Sequence, residues 1–224
     1  MVKITHIYHS GFVIELDRTV LIFDWYDGRL PDFDPLKTVV VFVTHGCPDH
    51  YSPRIWELNE THRRILYVLD CCTAPERKGD NILHVQPGRH YEFGRLLIYT
   101  ICTNENGVAY VVSADGHNFF HAGDLNVLRG TGATDDENAY SERIYRRQLE
   151  KISSWDSDAA MLPLDPGLGE DAPRAIDDYM RIVGCRHLFP MHYWNKTAEA
   201  AEYLDDERLL PYRDKICFIK EAAW

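Results

Sequence analysis

The sequence predicts an α/β fold of the mixed α+β kind, in which two β-sheets pack face to face with helices on the outside. Short apolar or alternating runs, which are typical of strands, occur in both halves of the chain. Each half also contains amphipathic helical patterns. Strands and helices mixed in this order are best buried as the layers of one sandwich. We therefore expect residues 1–224 to form a single domain.

The first half of the chain predicts a meander of strands that leads to a central apolar strand. Its strands are expected at residues 3–8, 12–16, 19–23, 39–43 and 65–69. A helix is predicted from Pro53 to about Glu60. Ser52 and Pro53 suit its start, because a hydroxyl caps free N–H groups and proline needs no N–H there.

The second half predicts more strands, accompanied by three helices. The strands are expected at residue 85 and at residues 91–93, 96–102, 108–113, 118–121, 159–164, 187–190 and 216–219. Thr134 and Glu137 form a capping-box pattern that opens a helix ending near Ile152. The other two helices are predicted at residues 171–183, with Gly184 as the stop, and near residues 197–204.

A dense group of metal-binding residue types follows the central strand. His45, Cys47, Asp49 and His50 all lie within the loop 44–50. Their imidazole, thiolate and carboxylate groups are the ligand types that zinc takes. Single residues of these types in loops are usually turn formers or surface groups. Four of them behind a buried strand indicate a metal site instead.

Other polar residues stand just past predicted strand ends, where a site shared between two sheets can form. Asp124 and His192 are the strongest of these. Asp24 either braces the metal loop or is a simple strand-end turn carboxylate. His121 is expected to be a hydrogen-bonding neighbour of the site rather than a metal ligand. Histidines without a motif, His9 among them, are expected to be solvated or satisfied by hydrogen bonds.

These motifs resemble those of the metallo-β-lactamase-fold hydrolases. Residues 44–50 match the family pattern T-H-x-H-x-D-H, Gly123-Asp124 matches its G-D motif, and Met191-His192 matches its late P-M-H motif. Within the family, residues 5–11 and 190–193 are most similar to the group that includes L-ascorbate-6-phosphate lactonase. The resemblance implies a four-layer αββα sandwich with a metal site at one edge of the two sheets.

The resemblance also implies two metal subsites. The residues that match one of them completely are Asp49, His50, Asp124 and His192. The other, which includes His45, is altered, because Cys47 replaces a histidine and residues 102–107 contain none. A thiolate can bind zinc and Glu105 could supply an oxygen, so the sequence leaves open whether one or two ions bind.

The implied function is a metal-dependent hydrolase in which metal-bound hydroxide attacks an ester, lactone or phosphoester of a small molecule. Asp49 would hold or deprotonate the water. Zn²⁺ is the expected ion, with Mn²⁺ or iron as alternatives. The altered subsite keeps open a different function, that of a non-catalytic or redox-responsive metal-binding protein on the same fold.

Charge and composition argue against several other classes of protein. The formal net charge of −11 disfavours binding to nucleic acid or anionic membranes, which weakens the case for a metal-dependent nuclease. No apolar run is long enough to span a bilayer, and the first residues lack the pattern of a secretory signal. We therefore expect a cytoplasmic protein with reduced cysteines. The sequence does not predict its oligomeric state.

Overall fold

The computed structural model describes residues 1–103, 107–127, 134–218 and 220–224, which form two β-sheets. The strands of the first sheet are β1 (Lys3–Tyr8), β2 (Gly11–Glu15), β3 (Thr19–Phe23), β4 (Thr38–Val43), β5 (Ile65–Asp70), β6 (Ile82–Val85) and β13 (Glu221–Ala223). They lie in the order β13-β1-β2-β3-β4-β5-β6. The hairpins β1–β2 and β2–β3 are antiparallel and β3–β4 is parallel. Two reversals therefore leave β1 running in the same direction as β3 and β4.

The second sheet is formed mainly by the second half of the chain. Its strands are β7 (His90–Phe93), β8 (Leu96–Cys102), β9 (Val108–Ala114), β10 (His117–His121), β11 (Ser157–Pro163) and β12 (Cys185–Met191). They lie in the order β12-β11-β10-β9-β8-β7. The neighbours β10, β11 and β12 are parallel. Their carboxyl ends consequently share one edge of the sheet, where chemistry can be assembled.

Helices cover the outer faces of both sheets. They are α1 (Leu58–Thr61), which continues a 3₁₀ helix at Pro53–Glu57, α2 (Asp135–Glu150), α3 (Arg174–Ile182) and α4 (Thr197–Glu202). Further 3₁₀ helices span Pro166–Asp171, Tyr203–Asp205 and Leu210–Tyr212. The capping box predicted at Thr134 is present at the start of α2. Among the described residues, no helix has the length and apolar character that a membrane span needs.

The central strand β4 shows how the layers are held together. Its residues Val40 and Phe42 belong to the core cluster that the two sheets share. Val39 and Val41 lie in a second cluster beneath the 3₁₀ helix and α1. Both faces of β4 are therefore buried, which explains its unbroken apolar sequence. The two-sheet arrangement with outer helices agrees with the predicted fold class.

Two predicted elements differ from the structure. The helix expected at residues 171–183 begins only at Arg174, because Asp171 is the last residue of the preceding 3₁₀ helix and Pro173, which has no N–H, is the N-cap of α3. The strand expected at residues 216–219 is wrong over its described part. Ile216 forms only an isolated bridge with Leu188, and its apolar run is partly buried beside β12 instead of extending a sheet. Residue 219 lies outside the described residues.

Candidate metal centre

Asp24, at the end of β3, holds the loop that follows β4. Its fully buried carboxylate accepts hydrogen bonds from the Thr44 backbone N–H at 2.8 Å and the Thr44 hydroxyl at 2.7 Å. It also accepts one from His50 Nδ1 at 2.8 Å. Burial alone would raise the pKa of Asp24, but the neighbouring His50 ring lowers it. Of its two predicted roles, bracing the metal loop is the one that the structure shows.

Three histidine rings converge on the carboxylate of Asp124. His50 Nε2 lies 3.0 Å and His192 Nε2 lies 3.3 Å from Asp124 Oδ1. His45 Nε2 lies 3.3 Å from the other oxygen, Oδ2. These residues follow three different strands of two sheets. The strand-end positions predicted from the sequence are thus brought together in space.

The other nitrogen of each ring faces away from this point and has an oxygen partner. His45 Nδ1 lies 3.1 Å from the Thr44 hydroxyl, and His192 Nδ1 lies 3.2 Å from Asp165 Oδ2. With Asp24 on His50, these contacts orient all three Nε2 atoms inward. Asp165, two residues past the end of β11, was not predicted. It also accepts a hydrogen bond from the Gly167 N–H at 2.7 Å, which fixes the carboxylate.

The remaining predicted ligands lie beside this group. The ligand atoms of His45, Cys47 and Asp49 all lie within 4.8 Å of one another. Cys47 is exposed, and the side chain of Asp49 is 30% exposed. All six predicted metal-site residues are therefore neighbours at one edge of the sandwich. Glu105, the suggested oxygen donor, lies outside the described residues.

His9, at the turn between β1 and β2, also belongs to this centre. Its ligand atom lies within 4.8 Å of those of Asp49, His50 and His192. The ring is fully buried, and burial together with the nearby His192 and His50 lowers its pKa to about 3. Among the described residues, neither ring nitrogen has a hydrogen-bond partner. The expectation that His9 is solvated or satisfied is therefore wrong.

His121 has the neighbouring role that the sequence predicted. Its Nε2 donates to the Ser10 carbonyl oxygen at 2.9 Å, and its Nδ1 accepts from the Gly123 N–H at 3.1 Å. Both nitrogens are thus engaged outside the metal centre. A Cβ atom on Gly123 (φ 54°) would lie only 2.9 Å from the Thr44 Cβ. The glycine of the G-D motif therefore lets the Asp124 loop approach the metal loop.

The electrostatics and hydrogen bonding of these residues fit a bound cation. Burial would lower the pKa values of His50 and His192, but nearby carboxylates raise them to about 10 and about 9. Both rings hold the pKa of Asp124 well below its usual range, although burial would raise it. The centre thus favours added positive charge.

His50 Nε2 and Asp124 Oδ1 are buried 3.0 Å apart, yet neither makes a well-aligned hydrogen bond with a described residue. Atoms that approach without bonding each other fit ligands of one ion.

A cleft of about 250 Å³ opens beside the centre. Its lining residues are Asp49, Asp124, Asn126, Pro163, Asp165, Leu168 and His192. Three carboxylates and an imidazole therefore face the same space as two apolar side chains. The cleft gives a small molecule access to Asp49 and Asp124.

Comparisons with known proteins identify related sequences and similar folds. No family model matches the chain. The sequence is 27% identical over 205 residues to a UPF0173 metal-dependent hydrolase from Korarchaeum cryptofilum, covering 86% of this chain and 83% of the relative. The structure is similar to Igni18, a metallo hydrolase from Ignicoccus hospitalis, with a TM-score of 0.67, 15% identity and coverage of 100% and 99%. It is also similar to the metallo-β-lactamase fold protein YhfI from Bacillus subtilis, with a TM-score of 0.62, 12% identity and coverage of 99% and 97%.

The chain therefore has the metallo-β-lactamase fold, and the predicted αββα sandwich is confirmed. The names of these relatives and neighbours give no substrate. The likeness to the branch that contains L-ascorbate-6-phosphate lactonase accordingly stays a prediction.

Proposed function

We propose that this chain is a metal-dependent hydrolase that cleaves an ester, lactone or phosphoester of a small molecule. One observation carries the proposal: three histidine Nε2 atoms surround the Asp124 carboxylate at 3.0 to 3.3 Å. The sequence relative named a metal-dependent hydrolase supports it. The net charge of −11 favours a small substrate over nucleic acid.

The side chains that would hold the ion or ions are His45, Cys47, Asp49, His50, Asp124 and His192. Nitrogen, oxygen and sulfur ligands together suit Zn²⁺, whereas a subsite without the thiolate also suits Mn²⁺ or iron. A bound divalent ion would lower the pKa of a water molecule towards neutrality and polarise the scissile oxygen of the substrate.

Asp49 is the residue that we expect to handle the proton. Its carboxylate is partly exposed at the cleft and also belongs to the ligand cluster, so it can reach both substrate and water. It would accept a proton from the attacking water while the water oxygen bonds to the carbonyl carbon or phosphorus. The bond to the leaving oxygen then breaks, and the proton held by Asp49 passes to that oxygen. Pro163 and Leu168 form the apolar part of the cleft lining.

The proposal is tested by metal content followed by hydrolysis. Protein purified without chelator, and protein reconstituted with Zn²⁺, Mn²⁺ or Fe²⁺, should contain at least one ion per chain by elemental analysis. The loaded protein should hydrolyse at least one of a nitrophenyl ester, a lactone and a phosphodiester. Asp49→Ala should abolish that activity while the circular dichroism spectrum stays unchanged. Wild-type turnover by this variant would refute the role of Asp49, and no bound ion under any condition would refute the metal centre.

The exposed position of Cys47 favours a second candidate function, a redox-responsive metal-binding protein without catalysis. Under this alternative, the wild-type protein binds metal but hydrolyses none of the three substrates. Mild oxidation with hydrogen peroxide would then lower the metal content, and a thiol reductant would restore it. Turnover by the metal-loaded protein would rule this alternative out.

A further inference from the structure

His9 has an arrangement that packing alone does not explain. Its ring is fully buried, and neither nitrogen has a hydrogen-bond partner among the described residues. Leaving buried polar atoms unsatisfied costs folding free energy. A phenylalanine would fill similar space without that cost. The histidine is therefore expected to gain a partner that is not a protein hydrogen bond.

The backbone around His9 is held in an unusual conformation. Its φ of 52° lies in the left-handed region, which is rare for residues other than glycine and is often found at functional sites. The His9 carbonyl oxygen accepts hydrogen bonds from the His192 N–H at 3.2 Å and from His6 Nε2 at 2.9 Å. The bond from His192 ties the turn after β1 to the residue after β12. The ring is positioned by contacts from both sheets.

The His9 ring lies close to three of the proposed metal ligands. The ligand atoms of His9, Asp49, His50 and His192 form one group within 4.8 Å. His9 Nε2 lies 3.8 Å from Asp49 Oδ2, and its ring centroid lies 4.2 Å from that of His192. The ring also packs on Trp194, with centroids 4.0 Å apart. His9 Nε2 and Asp49 Oδ2 are close enough to share one ion, because two atoms that each bind an ion at about 2.1 Å lie at most about 4.2 Å apart.

We infer that His9 is a ligand of the ion that Asp49, His50 and His192 would bind, which adds a third imidazole to the subsite of Asp49, His50, Asp124 and His192. This inference rests on the metal centre of the proposed function. A set of four nitrogen and oxygen ligands is enough to hold one ion tightly. His9 would therefore strengthen the subsite that matches the family pattern completely and not the altered subsite of His45 and Cys47.

The test compares metal binding by two His9 variants with metal binding by the wild-type protein. His9→Phe keeps an aromatic ring beside Trp194 and His192 but removes both nitrogens, and His9→Asn suits the left-handed backbone. His62→Phe, at a histidine that packs on Phe33, is the matched control. Zinc affinity is measured by competition with a chromophoric chelator. The visible spectrum of the Co²⁺-loaded protein reports which ligands bind the ion. The unfolding midpoint of each metal-free variant reports the fold.

We expect both His9 variants to lose at least about 10-fold in zinc affinity and to show an altered Co²⁺ spectrum, because a ligand is gone. His62→Phe should match wild type in both. Metal-free His9→Phe should unfold at a midpoint no lower than wild type, because two unsatisfied nitrogens are removed. Unchanged zinc affinity and an unchanged Co²⁺ spectrum in the His9 variants would overturn the inference while the metal centre stands. A wild-type protein that binds no ion would instead refute the proposed function.

Discussion

The two sides of the centre differ in how firmly their side chains are held. On the anchored side, His50 and His192 each have a carboxylate on Nδ1, from Asp24 and Asp165. The open side is defined by His45 and Cys47. Within the described part of the chain, His45 Nδ1 has the Thr44 hydroxyl as its partner in place of a carboxylate. Cys47 is exposed to solvent, whereas His50 is fully buried.

This difference indicates that the two sides contribute unequally to metal binding. A carboxylate on the outer nitrogen fixes the tautomer of a ligand histidine and makes its inner nitrogen more basic. A hydroxyl does so more weakly, and an exposed side chain loses more conformational freedom when it binds an ion. We therefore expect the tightest ion to bind on the anchored side. Substitutions there should have larger effects than those on the open side.

The largest effect is expected for Asp24→Ala. The substitution leaves His50 Nδ1 and the Thr44 N–H and hydroxyl without their buried acceptor. Removing one partner of a buried charged pair typically costs about 3 kcal/mol or more of unfolding free energy. Zinc affinity should fall about 10- to 100-fold, because His50 loses its orientation. Urea denaturation and chelator competition measure the two effects.

Tyr145→Phe provides the control for a loss of stability alone. The Tyr145 hydroxyl donates to the Ala175 carbonyl oxygen at 2.8 Å, where α2 packs on α3. Its removal should cost about 1 kcal/mol of unfolding free energy. Zinc affinity should stay at the wild-type value. If Tyr145→Phe weakened zinc binding as strongly as Asp24→Ala, the effect of Asp24 would come from lost stability and not from the centre.

A smaller effect is expected for Asp165→Asn, because this carboxylate is only half-buried and asparagine keeps an acceptor oxygen. Loss of the charge should make His192 a weaker ligand and reduce zinc affinity about 10-fold. The unfolding midpoint should change little. Asp206→Asn is the matched control, because Asp206 is paired with Arg208 and takes no part in the centre. Equal zinc affinity for Asp165→Asn and wild type would show that the anchored side does not depend on this carboxylate.

The sequence predicted the parts of the centre that lie within local motifs. His45, Cys47, Asp49 and His50 occupy a single loop after an apolar strand, so their proximity follows from chain connectivity. Strands such as β3 and β4 were predictable because both of their faces are buried, so that they stand out in the sequence as short unbroken apolar runs. The run at residues 216–219 shows the limit, since apolar residues can be buried beside a sheet edge without forming a regular strand.

His9 and Asp165 were missed because their roles depend on the order of strands in space. Asp165 reaches His192 because β11 pairs with β12, with Pro163 opposite Met191. Nothing local in the sequence specifies that neighbour. His9 left a usable signal: two predicted hairpins make β1 parallel to β3, so their carboxyl ends share an edge. A histidine at that strand end was therefore a candidate for the same site as Asp24.

The smallest effect on the tightest ion is expected for Cys47→His, which adds an imidazole to the open side. Zinc stoichiometry should rise to about two ions per chain, because His45 gains a nitrogen partner beside Asp49 and Asp124. The affinity for the first ion should not change, since its ligands lie on the anchored side. Adding His45→Phe should abolish the extra ion but leave the first, as elemental analysis after dialysis would show. If Cys47→His alone lowered the metal content, the thiolate would be a working ligand and the open side would be part of the primary site.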